Sequence, residues 1–171
     1  METKSQKIIA YPYLPEGHTI LYVPEDNKYM LAAKKVAVTE STDRKTSTGV
    51  VVVNGQGDVV VSAANQSTLK NKFLLDTHKN WCIRRFFKIP SGQKYWICPG
   101  CASSKYHAES FAMKKAKKFQ LNISRCDLYL WGHWWCCKDC WNAMIKSGVK
   151  NVYLMEGADN GFNNSNPVIL R

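Results

Sequence analysis

The chain has 171 residues, of which 45% are hydrophobic, and a formal net charge of +11. This length suits one compact domain, and no stretch approaches the roughly 18 consecutive apolar residues of a membrane span. The first residues lack an apolar segment followed by a small-residue cleavage site, so we expect a cytoplasmic protein. The excess of basic over acidic residues favours anionic partners, such as nucleotides or nucleic acid.

The first half of the chain predicts an arm, a helix and a hairpin. Residues 1–25 contain three prolines and predict an extended N-terminal arm. Residues 26–41 show helical spacing of apolar residues, with Asp26 or Asn27 as the cap. Two valine-rich runs flank the turn sequence Asn54–Asp58, which predicts a β-hairpin. Because these runs are almost purely apolar, we expect both faces of the hairpin to be covered.

The second half alternates helical and strand patterns around an insertion. Residues 26–171 are predicted to form one domain, with an insertion at about 68–104. The order of elements favours a mixed sheet with helices on its faces, an α/β fold. The predicted elements are a helical segment at 68–90, a loop at 98–104, a helix from about His107 to Phe119, a strand at 127–131, a helix at 137–147, a strand at 149–155 and a possible last strand at 168–170.

The residues with the clearest chemistry are His107 and Glu109, followed downstream by Cys137 and Cys140. A catalytic zinc ion takes three nitrogen or sulfur ligands and keeps one position open for water. One histidine and two cysteines three residues apart at a helix start supply such a set, and the helix N-terminus favours the thiolate form. Glu109 lies two residues beyond the histidine, where it can move protons without binding the metal. A structural zinc site would instead have four ligands.

These residues resemble a known family. The pattern H-x-E with a later P-C-x-x-C is typical of zinc-dependent nucleobase deaminases, and Trp135–Glu156 resembles the second zinc helix and the following strand of the cytidine and deoxycytidylate deaminase superfamily. The resemblance covers residues 28–155. It implies a three-layer α/β/α fold with a central mixed sheet, and a hydrolase with Glu109 as the catalytic residue. It also implies that Asn65 contacts the substrate's sugar.

A finer resemblance lies in the insertion. The residues Cys82-Ile-Arg-Arg, Pro90-Ser-Gly and Cys98, followed by His107-Ala-Glu, resemble the deoxycytidylate (dCMP) deaminases. This resemblance implies a nucleotide substrate, conversion of dCMP to dUMP with release of ammonia, and a homo-oligomer. The remaining candidates for substrate binding are Ala108, Trp134 and Arg84, with Arg85 and Lys88 as further phosphate candidates.

The sequence departs from the family at the residue before the two zinc cysteines. The family has proline where this chain has Cys136, and only Cys137 and Cys140 keep the required spacing. We interpret Cys136 as the replacement for that proline, although it could compete for the metal. The tryptophans at 134 and 135 replace the usual approach to the pocket, and one of them is a candidate to stack on the base.

A second metal site is a further hypothesis. Cys98 and Cys101 form a turn like a zinc knuckle, and Cys82 with His78, one helical turn earlier, could complete four ligands for a structural zinc ion. The alternative is a group of ordinary loop thiols.

Two other functions stay open. One is deamination of a base within RNA or single-stranded DNA, which the positive charge and the tryptophans would suit. The other is a zinc-stabilised nucleotide-binding module without turnover.

Overall fold

The computed structural model describes residues 11–43, 45–89 and 93–160. The predicted strand at 168–170 lies outside these ranges. In the described part of the chain, no helix is long and apolar enough to cross a membrane. The elements in chain order are β1 (Ile20–Val23), α1 (Lys28–Glu40), β2 (Gly49–Val53), β3 (Val59–Ala64), α2 (Lys72–Asn80), α3 (Ile83–Phe86), α4 (Ala108–Lys118), β4 (Asp127–Trp131), α5 (Lys138–Lys146) and β5 (Asn151–Met155).

The five strands form one mixed sheet in the order β1-β5-β4-β2-β3. Strand β5 is parallel to both β1 and β4, whereas β2 is antiparallel to both β3 and β4. Strand β1 lies within residues 1–25, where the sequence predicts only an arm. It was missed because its four residues stand between prolines and find their partners far along the chain, with Ile20 opposite Val152.

The hairpin prediction is confirmed. The Asn54 side chain accepts hydrogen bonds from the backbone N–H groups of Gln56 and Asp58, which closes the turn. All five residues of β2 are buried, as expected for a strand covered on both faces. Strand β3 lies at the sheet edge, and its first residue, Val59, is 47% exposed, so coverage there is partial.

Helices cover both faces of the sheet and give the predicted three layers. Helix α1, capped by the Asn27 side chain, buries Met30 and Ala33 against one face. Gly49 permits this close approach, since a Cβ atom there would lie 2.4 Å from the carbonyl oxygen of Ala33. Helices α4 and α5 pack side by side on the other face, where the main core lies.

The insertion contains two short helices rather than one long one. Helix α2 ends at Asn80, and helix α3 begins at Ile83, several residues before the predicted break at the Pro-Ser-Gly turn. The two residues between them both have an extended backbone, Trp81 with φ −134° and ψ 120° and Cys82 with φ −128° and ψ 121°. This break lets the Cys82 thiol approach two cysteines that follow much later in the chain.

Candidate active site and a second cluster of metal ligands

The first cluster of metal ligands lies where two helices begin. His107 immediately precedes α4, and Cys137 immediately precedes α5, with Cys140 in the first turn of α5. Both thiol sulfurs lie 3.5 Å from Nδ1 of His107. The packing of α4 against α5 therefore brings His107 together with two cysteines that lie 30 and 33 residues further along the chain.

The spacing of these atoms fits zinc. Tetrahedral coordination with Zn–S bonds of about 2.3 Å and Zn–N bonds of about 2.0–2.1 Å separates a nitrogen and a sulfur ligand by about 3.6 Å. The observed separations of 3.5 Å agree with this value. Cys136 is not part of the group, so its sequence-based exclusion as a ligand agrees with the structure. Three ligands leave one tetrahedral position for water.

The electrostatics of the cluster favour a thiolate. The hydrogen bond with Cys140 and the neighbouring His107 lower the pKa of Cys137 to about 4, against the opposing effect of burial. Burial alone would lower the pKa of His107, but its hydrogen bond with Cys137 and the charge of Glu109 outweigh burial and raise it. A thiolate and an imidazole are the forms that bind metals once the imidazole loses its proton.

Glu109 lies in the first turn of α4, beside the metal ligands. It is only 4% exposed, and burial raises its pKa. The fully buried thiol of Cys136 forms a hydrogen bond with the Glu109 carboxylate. The sequence did not reveal this contact, because it joins two residues from different helix starts. Cys136 is therefore placed to orient the carboxylate, and it is not one of the grouped metal ligands.

A single cavity joins the first cluster to a basic surface. Glu109 and His107 line it, and so do the cationic residues Lys45, Arg84 and Arg85. The other lining residues are Asp43, Thr46, Thr48, Asn65, Cys82, Ile89, Tyr95, Cys101, Ala102, Ala108, His133, Trp135 and Cys137.

Three of the four predicted substrate contacts line this cavity: Asn65, Ala108 and Arg84. The fourth, Trp134, is not among the residues that line it. Trp134 is 3% exposed and its ring stacks on Tyr11, 6.2 Å away between ring centroids. Its neighbour Trp135 lines the cavity instead.

The sequence also gave no indication that His133 belongs to the site. This residue lines the cavity, and burial lowers its pKa to about 3, so it is neutral at physiological pH. Its Nδ1 accepts a 3.4 Å hydrogen bond from the backbone N–H of Trp135. The proton of a neutral imidazole then resides on Nε2, which is a donor. The nearest sequence signal was its place in the unusual segment before the zinc cysteines.

The second cluster brings together all four predicted residues. The sulfur of Cys82 lies 3.8 Å from that of Cys98 and 3.5 Å from that of Cys101, and the Cys101 sulfur lies 3.5 Å from Nε2 of His78. All four ligand atoms lie within 4.8 Å of one another. Three of the four residues are buried.

Gly100 allows the histidine to enter this cluster. A Cβ atom at this position would lie 2.3 Å from Cγ and Cδ2 of the His78 ring. Any other residue would therefore push the ring away from Cys101. The sequence Cys98-Pro-Gly-Cys101 thus supplies both two ligands and the space for a third.

The fold and the first cluster together define a zinc-binding deaminase. The family model described as "Cytidine and deoxycytidylate deaminase zinc-binding region" matches residues 23–156. The chain belongs to this family, as the sequence resemblance predicted.

The solved structures that are similar to the chain include two deaminases. One is the dCMP deaminase of the cyanophage S-TIM5 in its apo form, with 20% sequence identity over 81% of this chain and 89% of the other, and a TM-score of 0.45. The other is a diaminohydroxyphosphoribosylaminopyrimidine deaminase/5-amino-6-(5-phosphoribosylamino)uracil reductase from Thermotoga maritima, with 17% identity over 74% of this chain and 28% of the other, and a TM-score of 0.43. A search of curated proteins finds no match to this chain.

Proposed function

We propose that this protein hydrolytically deaminates a free cytosine nucleotide, dCMP, to dUMP with release of ammonia. The observation that carries the proposal is the cavity described above. It is lined by Glu109 and two of the zinc ligands, His107 and Cys137, and also by three cationic side chains, Lys45, Arg84 and Arg85. A nucleotide carries the matching groups, a reactive base and an anionic phosphate.

The chemistry requires one residue to move protons. Bound zinc lowers the pKa of a coordinated water molecule to about 7. Glu109 would take a proton from the water whose oxygen bonds to the ring carbon, and would return protons to the ring nitrogen and to the amine, which leaves as ammonia when the C–N bond breaks. Its raised pKa suits both steps, because a carboxyl group that binds its proton more firmly is a stronger base. The thiol of Cys136 holds the carboxylate in place.

Asn65 is held rigidly at the cavity wall. Its side-chain oxygen accepts hydrogen bonds from the backbone of Thr48 and the hydroxyl of Ser41, and its nitrogen donates to the carbonyl of Thr46. An amide nitrogen carries two hydrogens, so a second one can reach a sugar hydroxyl. These contacts support the proposed sugar contact by fixing the direction of that N–H. Trp135 lines the same cavity and is the proposed base-stacking residue.

Arg85 is the strongest candidate for the phosphate. It lines the cavity, its side chain is exposed, and its guanidinium lies 3.4 Å from the hydroxyl of Thr46. Arg84 is 7% exposed and donates a 3.0 Å hydrogen bond to the carbonyl of Gln93. Arg84 is therefore already oriented by the protein, while Arg85 can turn toward an incoming phosphate.

A second candidate function is favoured by an exposed aromatic surface on the insertion. We define this surface by Trp81, Phe86, Phe87 and Trp96, of which Trp96 is 82% exposed. Exposed aromatic rings beside basic residues are typical of surfaces that bind single-stranded nucleic acid. The alternative substrate is thus a cytosine or adenine base within a strand.

A substrate panel distinguishes these functions. The zinc-loaded protein is incubated with dCMP, cytidine, dCTP and a single strand containing cytosine, and released ammonia is measured. We expect dCMP to react fastest. Reaction of the strand alone would contradict the proposal and support the second candidate. Tight zinc binding with no reaction on any substrate would instead support a binding module without turnover.

A further inference from the structure

We propose that the second cluster, formed by His78, Cys82, Cys98 and Cys101, holds a zinc ion that positions the nucleotide-binding wall of the catalytic cavity. This proposal rests on the proposed function for the identity of the nucleotide. The binding of the ion does not depend on that function.

The geometry of the second cluster fits a closed tetrahedral site. With Zn–S bonds of about 2.3 Å, two sulfur ligands lie about 3.8 Å apart, and a nitrogen and a sulfur lie about 3.6 Å apart. The measured values are 3.8 Å for Cys82 and Cys98, 3.5 Å for Cys82 and Cys101, and 3.5 Å for Cys101 and His78. A disulfide would need about 2.05 Å, and these thiols are free. Four ligands leave no position for substrate, so the ion has a structural role.

The second cluster shares a wall with the catalytic cavity. Cys82 and Cys101 line that cavity, whereas Cys98 and His78 are not among its lining residues. The ligands therefore stand between the proposed ion and the space that receives the nucleotide. Movement of Cys82 or Cys101 would change the shape of that space.

Arg84 links the second cluster to the phosphate end of the cavity. Its side chain forms a hydrogen bond with the thiol of Cys101, and its guanidinium carbon lies 4.1 Å from the centroid of the Tyr95 ring. Three thiolates and one imidazole around Zn²⁺ carry a net charge of −1, which the guanidinium offsets. A loaded site thus holds the cation of Arg84 beside the proposed phosphate position.

The backbone after Cys101 links the second cluster to the catalytic zinc ligands. Ala102 donates its N–H to the buried carboxylate of Asp43, 3.2 Å away, and its carbonyl accepts a hydrogen bond from the His107 ring. Such a contact fixes the orientation of a metal-binding histidine. The Tyr95 ring packs edge-on against the His107 ring at 5.1 Å between centroids. Two routes therefore connect Cys101 to His107.

The test removes the second ion by replacing Cys98, a ligand that does not line the cavity. In Cys98→Ser, we expect metal analysis to give one zinc per chain instead of two. We expect the affinity for dUMP, measured by calorimetry, to fall about tenfold, while that for deoxyuridine stays within twofold, because the loss falls mainly on the phosphate contact beside Arg84. The control is Cys126→Ser, since Cys126 is buried but outside both clusters. It should keep two zinc ions and full dUMP affinity.

A second variant separates positioning from simple loss of structure. His78→Cys supplies a fourth thiolate and should retain the second ion and the dUMP affinity, unlike His78→Ala. If Cys98→Ser does not fold, the same binding comparison is made on wild-type protein after partial removal of metal with a chelator. Cobalt absorption bands then report which cluster is occupied.

The proposal is overturned if the wild-type protein holds one zinc ion only, or if loss of the second ion leaves dUMP affinity unchanged. Failure of the proposed function looks different. In that case no cytosine nucleotide is deaminated, although two zinc ions are bound. If the protein holds two zinc ions but binds neither dUMP nor any other nucleotide, the positioning role is also rejected.

Discussion

The two clusters of metal ligands differ in the elements that carry them and in what they leave open. The first cluster stands at the starts of two regular helices, α4 and α5, and has three ligands with Glu109 beside them. The second cluster stands in the insertion, on α2, on the break before α3 and on a loop, and has four ligands. Three ligands leave a position for water, and four do not. Ligand number therefore distinguishes a cluster that can admit water from one that cannot, although both contribute residues to the same cavity.

The largest expected effect comes from breaking the first cluster. In Cys140→Ser we expect loss of one zinc ion and of measurable ammonia release, because a serine hydroxyl is a much weaker zinc ligand than a thiolate. The second ion should remain. Metal analysis and an ammonia assay on the same sample provide the check. A variant that keeps both the metal and the activity would mean that Cys140 is not a ligand.

A smaller effect is expected at the phosphate end of the cavity. Replacing Arg85 with Gln removes one charge-assisted hydrogen bond, worth about 1.5–3 kcal/mol, so KM for dCMP should rise at least tenfold with little change in kcat. The matched control is Lys88→Gln, because Lys88 is exposed and does not line the cavity. Steady-state kinetics on both variants decide the point. An equal rise in KM in both variants would show only a general effect of charge.

The next prediction concerns Cys136, the residue that contacts Glu109 beside the first cluster. In Cys136→Ala the hydrogen bond to Glu109 is lost, and we expect kcat to fall up to about tenfold, the effect of about 1.4 kcal/mol. Cys136→Ser keeps a donor and should recover most of the rate. The zinc content should be unchanged in both. Loss of one zinc ion in Cys136→Ala would instead make Cys136 a ligand.

The smallest effect concerns the stability of the zinc-free protein. Burial raises the pKa of Glu109 above its ordinary 4.5, so above that pH the unfolded chain releases a proton that the folded protein retains. Stability contributed by this group therefore falls as pH rises. Glu109→Gln removes the penalty, and its zinc-free form should melt a few degrees higher than wild type at pH 7–8. The difference should vanish below pH 4.5. Thermal unfolding at several pH values measures it, with Glu40→Gln, an exposed helix-end residue, as the control.

Local patterns made much of the fold and the first cluster predictable. The spacing of Cys137 and Cys140 predicted a helix start with two thiols, and the turn at Asn54–Asp58 predicted a hairpin. Strand β1 was missed because parallel pairing with β5 depends on a partner more than a hundred residues away. The direction of each side chain could not be predicted from the sequence either, because only packing decides which of two neighbours faces the cavity. Trp134 and Trp135 are an example.

The second cluster could be predicted from the sequence only in part. The residue types and the knuckle-like turn predicted its four members, but not its place against the catalytic cavity, which depends on how the insertion folds over the sheet. The predicted homo-oligomer stays a prediction.

The most direct test of the central claim uses Glu109→Gln, which removes the proton carrier and leaves both sets of metal ligands intact. The measurement is ammonia release from dCMP, with zinc content determined on the same preparation. We predict a loss of kcat of about 10²–10⁴-fold, the usual contribution of general acid–base catalysis, with two zinc ions retained. Full activity in the zinc-loaded variant would contradict the account.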